Sequence, residues 1–195
     1  MKLRLLQTSL SALIKSRPLP QGIHDDYLQE VQASNHLLLI QKIAFWWRKV
    51  QVEPYCRLTT TFLKSTGQFD TVLTGFISEK DFSSFRDEVG RQFLSYVIQK
   101  ESNTLARSVA DFELAVILLK SGEEVQACMY WEYEPYEVIH HLLKDSLKVE
   151  TLTKGVYEVT VSSTDPTALF RVRRLEEPMV TAAYPHAVSA QGEIQ

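Results

Sequence analysis

Alternation of apolar and polar residues marks three short segments late in the chain: Leu147-Lys-Val-Glu-Thr-Leu-Thr153, Val156-Tyr-Glu-Val-Thr-Val161 and Leu169-Phe-Arg-Val-Arg-Arg-Leu175. Alternation with a period of two is typical of β-strands, and Lys154-Gly155 between the first two segments predicts a turn. We therefore predict a meander of three strands over residues 147–176. A short sheet at one end of a chain leaves strand edges whose unpaired backbone groups can bind another chain.

The residues before this meander have mainly helical periodicity, with apolar side chains at intervals of three and four. Predicted helices cover residues 3–14, 27–31, 37–49, 54–64, 81–98, 103–120 and 135–144. Asn35 and either Ser102 or Asn103 are expected to cap helices, and Pro54 and Pro135 to begin them. Gly67 and Ser121-Gly122 are expected to end them.

The periodicity changes after residue 121, where the segment Glu124–Trp131 alternates loosely and predicts either a strand or an extended connector. The expected fold class is α+β, with a helical N-terminal part followed by a small C-terminal antiparallel sheet with a short helix. We predict a helical domain at 1–121, a small mixed α/β peptide-recognition domain at 122–178 and a flexible tail at 179–195.

Composition excludes some classes of protein. The chain has 195 residues, 45% of them hydrophobic, which is typical of a globular protein, and its net charge of −3 does not favour nucleic-acid binding. Cys56 and Cys128 are far apart and form no C-x-x-C pair, so we expect two buried free thiols in a cytoplasmic protein. Polar residues at 7–9 and 11 interrupt the apolar residues at the start, which favours an amphipathic helix over a signal peptide, and no stretch reaches the ~20 apolar residues of a membrane span.

The residues that could carry catalysis do not form a convincing site. His140 and His141 are adjacent on a predicted helix and point about 100° apart, and Glu137, four residues before His141, lacks the second histidine of an H-E-x-x-H motif. Asp111 and Glu113 diverge because they are two residues apart on a helix, so pairing with a basic residue is favoured over joint acid-base catalysis. We predict no catalytic residues and no metal ligands in this chain.

Two features favour binding of another protein. Trp46 and Trp47 lie on a strongly apolar helix, which places them either in the core or in a protein interface, where tryptophan is enriched. On the last predicted strand, Arg171 and Arg173 share one face. That face is either solvated or forms a basic edge that holds an acidic peptide.

A group of segments carries a resemblance to known proteins: Phe93-Leu94, Ala110-Asp-Phe-Glu-Leu-Ala115, Trp131, Pro135, Val138-Ile-His-His-Leu-Leu143, Val156–Val161, Asp165-Pro166 and Leu169-Phe-Arg-Val172. In these the chain resembles the partner proteins of multinuclear-iron enzymes that modify ribosomally made peptides, especially those of methanobactin biosynthesis. The resemblance covers about the last hundred residues, and the first half only in its helical, aromatic-rich character.

The resemblance implies a noncatalytic accessory subunit that forms a heterodimer with an iron enzyme of TIM-barrel fold and helps to present a precursor peptide. The complex would use oxygen to convert peptide cysteines into oxazolone and thioamide groups, giving a copper chelator. Iron is expected in the partner subunit, and no cofactor, nucleic acid or membrane is expected for this chain.

We expect the leader of the precursor to add a strand to the closing sheet, with Arg171 and Arg173 as charge partners. The predicted peptide-binding residues are Val156, Tyr157, Val159, Val161, Phe170, Arg171, Val172 and Arg173. Trp46 and Trp47 are the predicted partner interface.

Two other functions compete with this one. A short helix at 135–144 followed by a hairpin is similar to half of a winged helix, which would suit a DNA-binding regulator, although the acidic net charge counts against it. A hydrolase or metalloenzyme is the second competitor, and it would require tightly held metal in the purified chain.

Overall fold

The computed structural model describes residues 3–19, 25–79, 86–164 and 168–176. In the described residues the elements are α1 (Leu3–Ile14), α2 (Asp26–Ala33), α3 (Asn35–Tyr55), α4 (Arg57–Ser65), α5 (Phe69–Glu79), α6 (Arg86–Lys100), α7 (Thr104–Lys120), β1 (Gln126–Tyr133), α8 (Pro135–Leu143), β2 (Lys154–Ser162) and β3 (Arg171–Leu175). A largely helical first part and a small antiparallel sheet with a short helix confirm the predicted α+β class.

The sheet contains three antiparallel strands in the order β1-β2-β3. The predicted strand Leu147–Thr153 is wrong, because this segment forms a 3-10 turn at Val149–Thr151. Its expected place beside β2 is taken by β1, which buries Ala127, Met129 and Trp131 on one face. The strand beside β2 is therefore formed by β1 and not by residues 147–153, because β1 is longer and buries larger side chains.

Helix α7 lies at the centre of the structure, between α4 and α6 and against the sheet. The Phe112 ring on α7 meets the buried Trp131 ring of β1 edge-on, with their centroids 5.9 Å apart. One hydrophobic cluster includes side chains from α3 to α8 and from the sheet. The predicted boundary near residue 121 thus separates helices from strands along the chain, but it does not separate two cores. The predicted tail 179–195 lies outside the described residues.

Several helix ends differ from the prediction. Helix α3 continues past Lys49 to Tyr55, so Pro54 sits in its last turn and does not begin a new helix. Ser34, and not Asn35, caps α3, since its hydroxyl accepts the N–H of His36 at 3.1 Å. Asn103 caps α7 as predicted. Helix α5 was not predicted, and the predicted helix start at Asp81 lies outside the described residues.

The first two helices form a small separate cluster on the start of α3. Leu13, Leu28 and Leu37 are buried together, one from each of α1, α2 and α3. The Gln41 side-chain amide of α3 donates to the Leu13 carbonyl at 2.8 Å. Thus α1 and α2 cover only the beginning of α3.

The far end of α3 is fixed by a close approach to α6 at Gly90. A Cβ atom at this position would lie 1.9 Å from Cδ1 of Tyr55, far inside van der Waals contact. The Cys56 thiol donates to the carbonyl of the same glycine at 3.4 Å. Glycine at position 90 therefore lets the last turn of α3 lie directly on α6.

Replacement of this glycine by alanine tests the packing. Gly→Ala inside a helix ordinarily stabilises by about 1 kcal/mol, but Gly90→Ala should lower the free energy of unfolding by about 1–3 kcal/mol because the methyl group overlaps the Tyr55 ring. Urea unfolding measures the change, and the same substitution in a Tyr55→Ala background should cost less. A stabilising Gly90→Ala in the wild-type chain would show that the two helices do not meet in this way.

Candidate functional site

The two edges of the sheet belong to β1 and β3, because β2 is paired on both sides. Tyr157, for example, faces Trp131 on β1 and Arg174 on β3. Four of the predicted peptide-binding residues lie on this central strand: Val156, Tyr157, Val159 and Val161. Strand addition directly beside Val156–Val161 is blocked by the neighbours already in place. These residues can support a bound peptide only through β3.

The other four predicted residues lie on or directly before β3, and their alternation agrees with the sequence. The Phe170 ring packs edge-on against Phe112 at 4.9 Å and lies beside the Tyr136 ring at 5.2 Å, measured between centroids. Val172 is half-buried and faces Val159, whereas Arg171 and Arg173 are exposed. One side of β3 is therefore anchored in the core and the other faces solvent.

Strand β3 is positively charged, and Glu158 on β2 neutralises part of this charge. Arg173 Nη2 lies 3.0 Å from Oε2 of Glu158, its cross-strand neighbour. The Arg174 guanidinium is 5.9 Å from the centre of the Tyr157 ring, within reach of a cation–π contact. Three arginines within five residues make this strand basic, which favours an anionic guest over a cationic one.

A recess of about 360 Å³ lies next to the start of β3. Its walls come from both outer strands, the central strand and the β2–β3 connection: Gln126, Thr160, Ser162, Thr164, Ala168, Phe170 and Arg171. The Ser162 hydroxyl donates to the Gln126 side-chain oxygen at 2.7 Å. The recess is mainly polar and large enough for a side chain of a peptide bound along β3.

The two cysteines have different surroundings, so the prediction of two buried thiols is wrong for one of them. Cys56 is buried, whereas Cys128 is exposed on β1, opposite Thr160 on β2. Partial burial, followed by the nearby Glu158 carboxylate, raises the pKa of the Cys128 thiol. At neutral pH this thiol is protonated and is a weak nucleophile.

Helix α3 exposes an apolar stripe that runs along its solvent side. We define the α3 stripe by six side chains, each between 44% and 59% exposed: Leu39, Ile40, Ile43, Trp46, Trp47 and Val50. At 100° per residue they fall within an arc of about 120°. The predicted interface residues Trp46 and Trp47 thus belong to a larger surface. In the sequence, this surface is indicated by the helical spacing of Leu39, Ile43 and Val50.

The opposite side of α3 holds the helix on the protein. Leu37 and Val52 are buried there, and Phe45 and Tyr55 pack partly against the core. Among the helices of the described ranges, α3 included, none has both the length and the apolar character needed to cross a bilayer. The α3 stripe is therefore one face of an amphipathic helix that is already packed on its other face.

The histidine pair has a local role. The His141 ring nitrogen Nδ1 lies 3.1 Å from the Ser146 hydroxyl. Glu137 accepts the backbone N–H and the hydroxyl of Thr153 at 2.9 and 3.0 Å, and these bonds lower the pKa of the Glu137 carboxyl. Glu137 thereby ties α8 to the start of β2. In the described parts of the chain, no three His, Cys, Asp or Glu side chains come together as metal ligands.

Pairing with a basic residue is expected of Asp111 or Glu113, and of these two Glu113 is a buried helix cap. Its two carboxylate oxygens accept the N–H groups of Leu58 and Thr59 at 2.8 and 2.9 Å, at the start of α4. Cys56, the residue before α4, provides no side-chain cap of its own. Burial raises the pKa of Glu113, and the hydrogen bonds from Thr59 and Leu58 oppose this shift.

Comparison of the chain with protein-family models, curated proteins and solved structures found no match.

The raised pKa of Glu113 predicts a pH dependence of stability. Because the folded-state pKa lies above the unfolded value of about 4.3, the contribution of Glu113 is largest below that value and is lost as the pH rises through the folded-state pKa. The difference in unfolding free energy between the wild type and Glu113→Gln should therefore decrease from about pH 4 upward. Urea unfolding over a pH series measures it, with the exposed Glu132→Gln as control. A difference that increases with pH would contradict the assignment.

Proposed function

We propose that this chain is a noncatalytic partner subunit that binds a catalytic protein through the α3 stripe and an extended peptide along β3. The observation that carries the proposal is the α3 stripe. Its six side chains expose roughly 700 Å², above the apolar patches of a few hundred Å² usual on soluble monomers. A standard protein interface buries about 800 Å² on each partner, so the stripe is close to the size of a complete binding surface.

The two tryptophans support this use of the stripe. Trp46 and Trp47 are more than half exposed, and their ring centroids are 6.2 Å apart. Tryptophan in the middle of an apolar patch is typical of residues that dominate binding energy at interfaces.

The β3 edge is suited to binding the extended peptide. An extended peptide beside β3 would continue the antiparallel sheet by main-chain hydrogen bonds, and the recess next to Phe170 would receive one of its side chains. The exposed Arg171 and Arg173 would favour acidic residues in the peptide. Because Phe170 and Val172 are packed on the inner side, the edge is held in place before the peptide arrives.

Within the proposal, the catalytic protein and the peptide are identified from the resemblance of the sequence to the methanobactin biosynthesis protein MbnC. The catalytic protein is a TIM-barrel enzyme with a multinuclear iron centre, and the peptide is the leader of a ribosomally made precursor. The enzyme oxidises cysteines of the precursor to oxazolone and thioamide groups with oxygen, in the cytoplasm. This chain supplies no iron ligand in the proposal and acts by positioning the peptide.

Reconstitution tests the proposal directly. The neighbouring genes are searched for an iron-enzyme barrel and a cysteine-containing precursor, these are co-expressed with the chain, and one subunit is purified by an affinity tag. We expect a one-to-one complex with iron in the barrel subunit, and precursor oxidation that requires both proteins. A monomer that ignores barrel and precursor, or stoichiometric metal held by this chain alone, would refute the proposal.

A proline on β3 tests the peptide edge. Val172→Pro removes a backbone N–H from the strand, so we expect at least about tenfold weaker binding of the leader peptide, measured by fluorescence anisotropy. Val172→Ala keeps the N–H and is the matched control, which should retain most of the affinity. Unchanged leader affinity in a folded Val172→Pro protein would place the peptide on another surface.

A further inference from the structure

The α3 stripe has the spacing of a coiled-coil seam. Leu39, Ile43, Trp46 and Val50 follow at intervals of four, three and four residues, the pattern that lets one helix pack along another. Over 11 residues at 1.5 Å each, the seam is about 17 Å long, or three helical turns. Helices α1, α2, α4, α5 and α6 contact α3 elsewhere, so the seam has no partner helix in the described residues.

The two borders of the seam differ in chemistry. Ile40 and Trp47 widen it on one side, whereas Lys42 and Lys49 lie along the other. Lys49 has acidic neighbours within the chain, with Asp70 at 3.3 Å and Glu53 at 3.9 Å. Lys42 is exposed and makes no such contact with the described residues. One border is thus apolar and the other carries an uncompensated positive charge.

We propose that the α3 stripe binds a single amphipathic helix of the catalytic partner, with Leu- or Ile-type residues facing the seam and Asp or Glu facing Lys42. This inference rests on the proposed function and specifies the part of the partner that docks. A helix of three or more turns covers the seam from Leu39 to Val50. The acidic residues fix its side and direction, as charges beside a coiled-coil seam do.

A second copy of this chain fits the seam less well. In an antiparallel pair of α3 helices, the lysine borders of the two copies face each other, so Lys42 of each copy lies near Lys49 of the other. Asp70 and Glu53 already lie beside Lys49, so this repulsion is weak, but a second copy provides no carboxylate for Lys42. A heterologous helix with an acidic border removes this repulsion and neutralises Lys42.

Two synthetic helical peptides of 21 residues test the inference on the full-length protein. Both have the same Leu and Ile seam, and the residues bordering it are Glu in one and Lys in the other. Fluorescence anisotropy with labelled peptide should show the Glu peptide binding at least about tenfold more tightly at low salt. Lys42→Glu should reduce or reverse this preference. Equal affinities, or a preference unaffected by Lys42→Glu, would overturn the proposal.

A matched pair of substitutions on one helix locates the binding surface. Ile43 and Leu38 are 55% and 57% exposed, but only Ile43 lies in the seam, since Leu38 is about 140° away around α3. Both are replaced by glutamine, because a glutamate at position 38 would lie one turn before Lys42 and pair with it. Ile43→Gln should weaken binding of the Glu peptide by more than about tenfold, and Leu38→Gln by less than about twofold. Circular dichroism and thermal unfolding establish that both variants fold. Equal effects of the two variants would refute the seam.

Other occupants are tested with the same variants. A dimer of the wild-type chain in sedimentation equilibrium that Ile43→Gln dissociates would make a second copy the occupant. Wild-type binding to phosphatidylcholine vesicles that Ile43→Gln abolishes would make it a membrane surface. Either result overturns the helix proposal.

The failure of this inference can be distinguished from failure of the proposed function. If Ile43→Gln and Leu38→Gln both co-purify with the iron enzyme as the wild type does, the seam is not the docking site, although the partner function stands. If the wild-type chain binds the Glu peptide through the seam but no iron enzyme, the partner function fails and the seam binds a helix of another protein.

Discussion

Two backbone N–H groups donate hydrogen bonds to the buried Glu113 carboxylate. These hydrogen bonds join the main parts of this structure. Glu113 belongs to α7, and the donors, Leu58 and Thr59, open α4. Because Cys56 provides no side-chain cap, α7 satisfies the start of a neighbouring helix from outside. The same α7 packs against β1 and β2. The Glu113 carboxylate, which is only 7% exposed, therefore connects α4 to α7, the helix that packs on the sheet.

The position of α3 follows from this arrangement. Its last turn lies between the α4 corner and α6, where Tyr55 fills the space left by Gly90, and its first turn is held by Leu37 in the small cluster with α1 and α2. A helix fixed at both ends presents the α3 stripe without further ordering. Preorganisation of this kind would reduce the entropic cost of the binding that is proposed for this surface.

Local signals predicted much of the fold, and competition between segments decided the rest. Apolar spacing, Pro135, Asn103 and Gly67 act over a few residues, so they placed helices and their ends correctly. The alternation in Leu147–Thr153 is equally local, but a strand forms only with a partner, and β1 buries Trp131 against α7 where that strand was expected. Pairing of distant segments is not encoded in the pattern of either one alone.

The same distinction applies to the candidate site. Alternation on β3 correctly placed Phe170 inside and Arg171 outside, because a strand has only two faces. The order of strands, which makes β3 and not β2 an edge, depends on tertiary pairing. For α3, the sequence left Trp46 in either the core or an interface, and its exposure, with Val52 buried on the opposite face, excludes the core. In the described residues the main contacts of α3 are with helices and β3 pairs with β2, so the two surfaces lie on separate elements. A helix on one and a peptide on the other would not have to compete, which is a requirement of the proposed function.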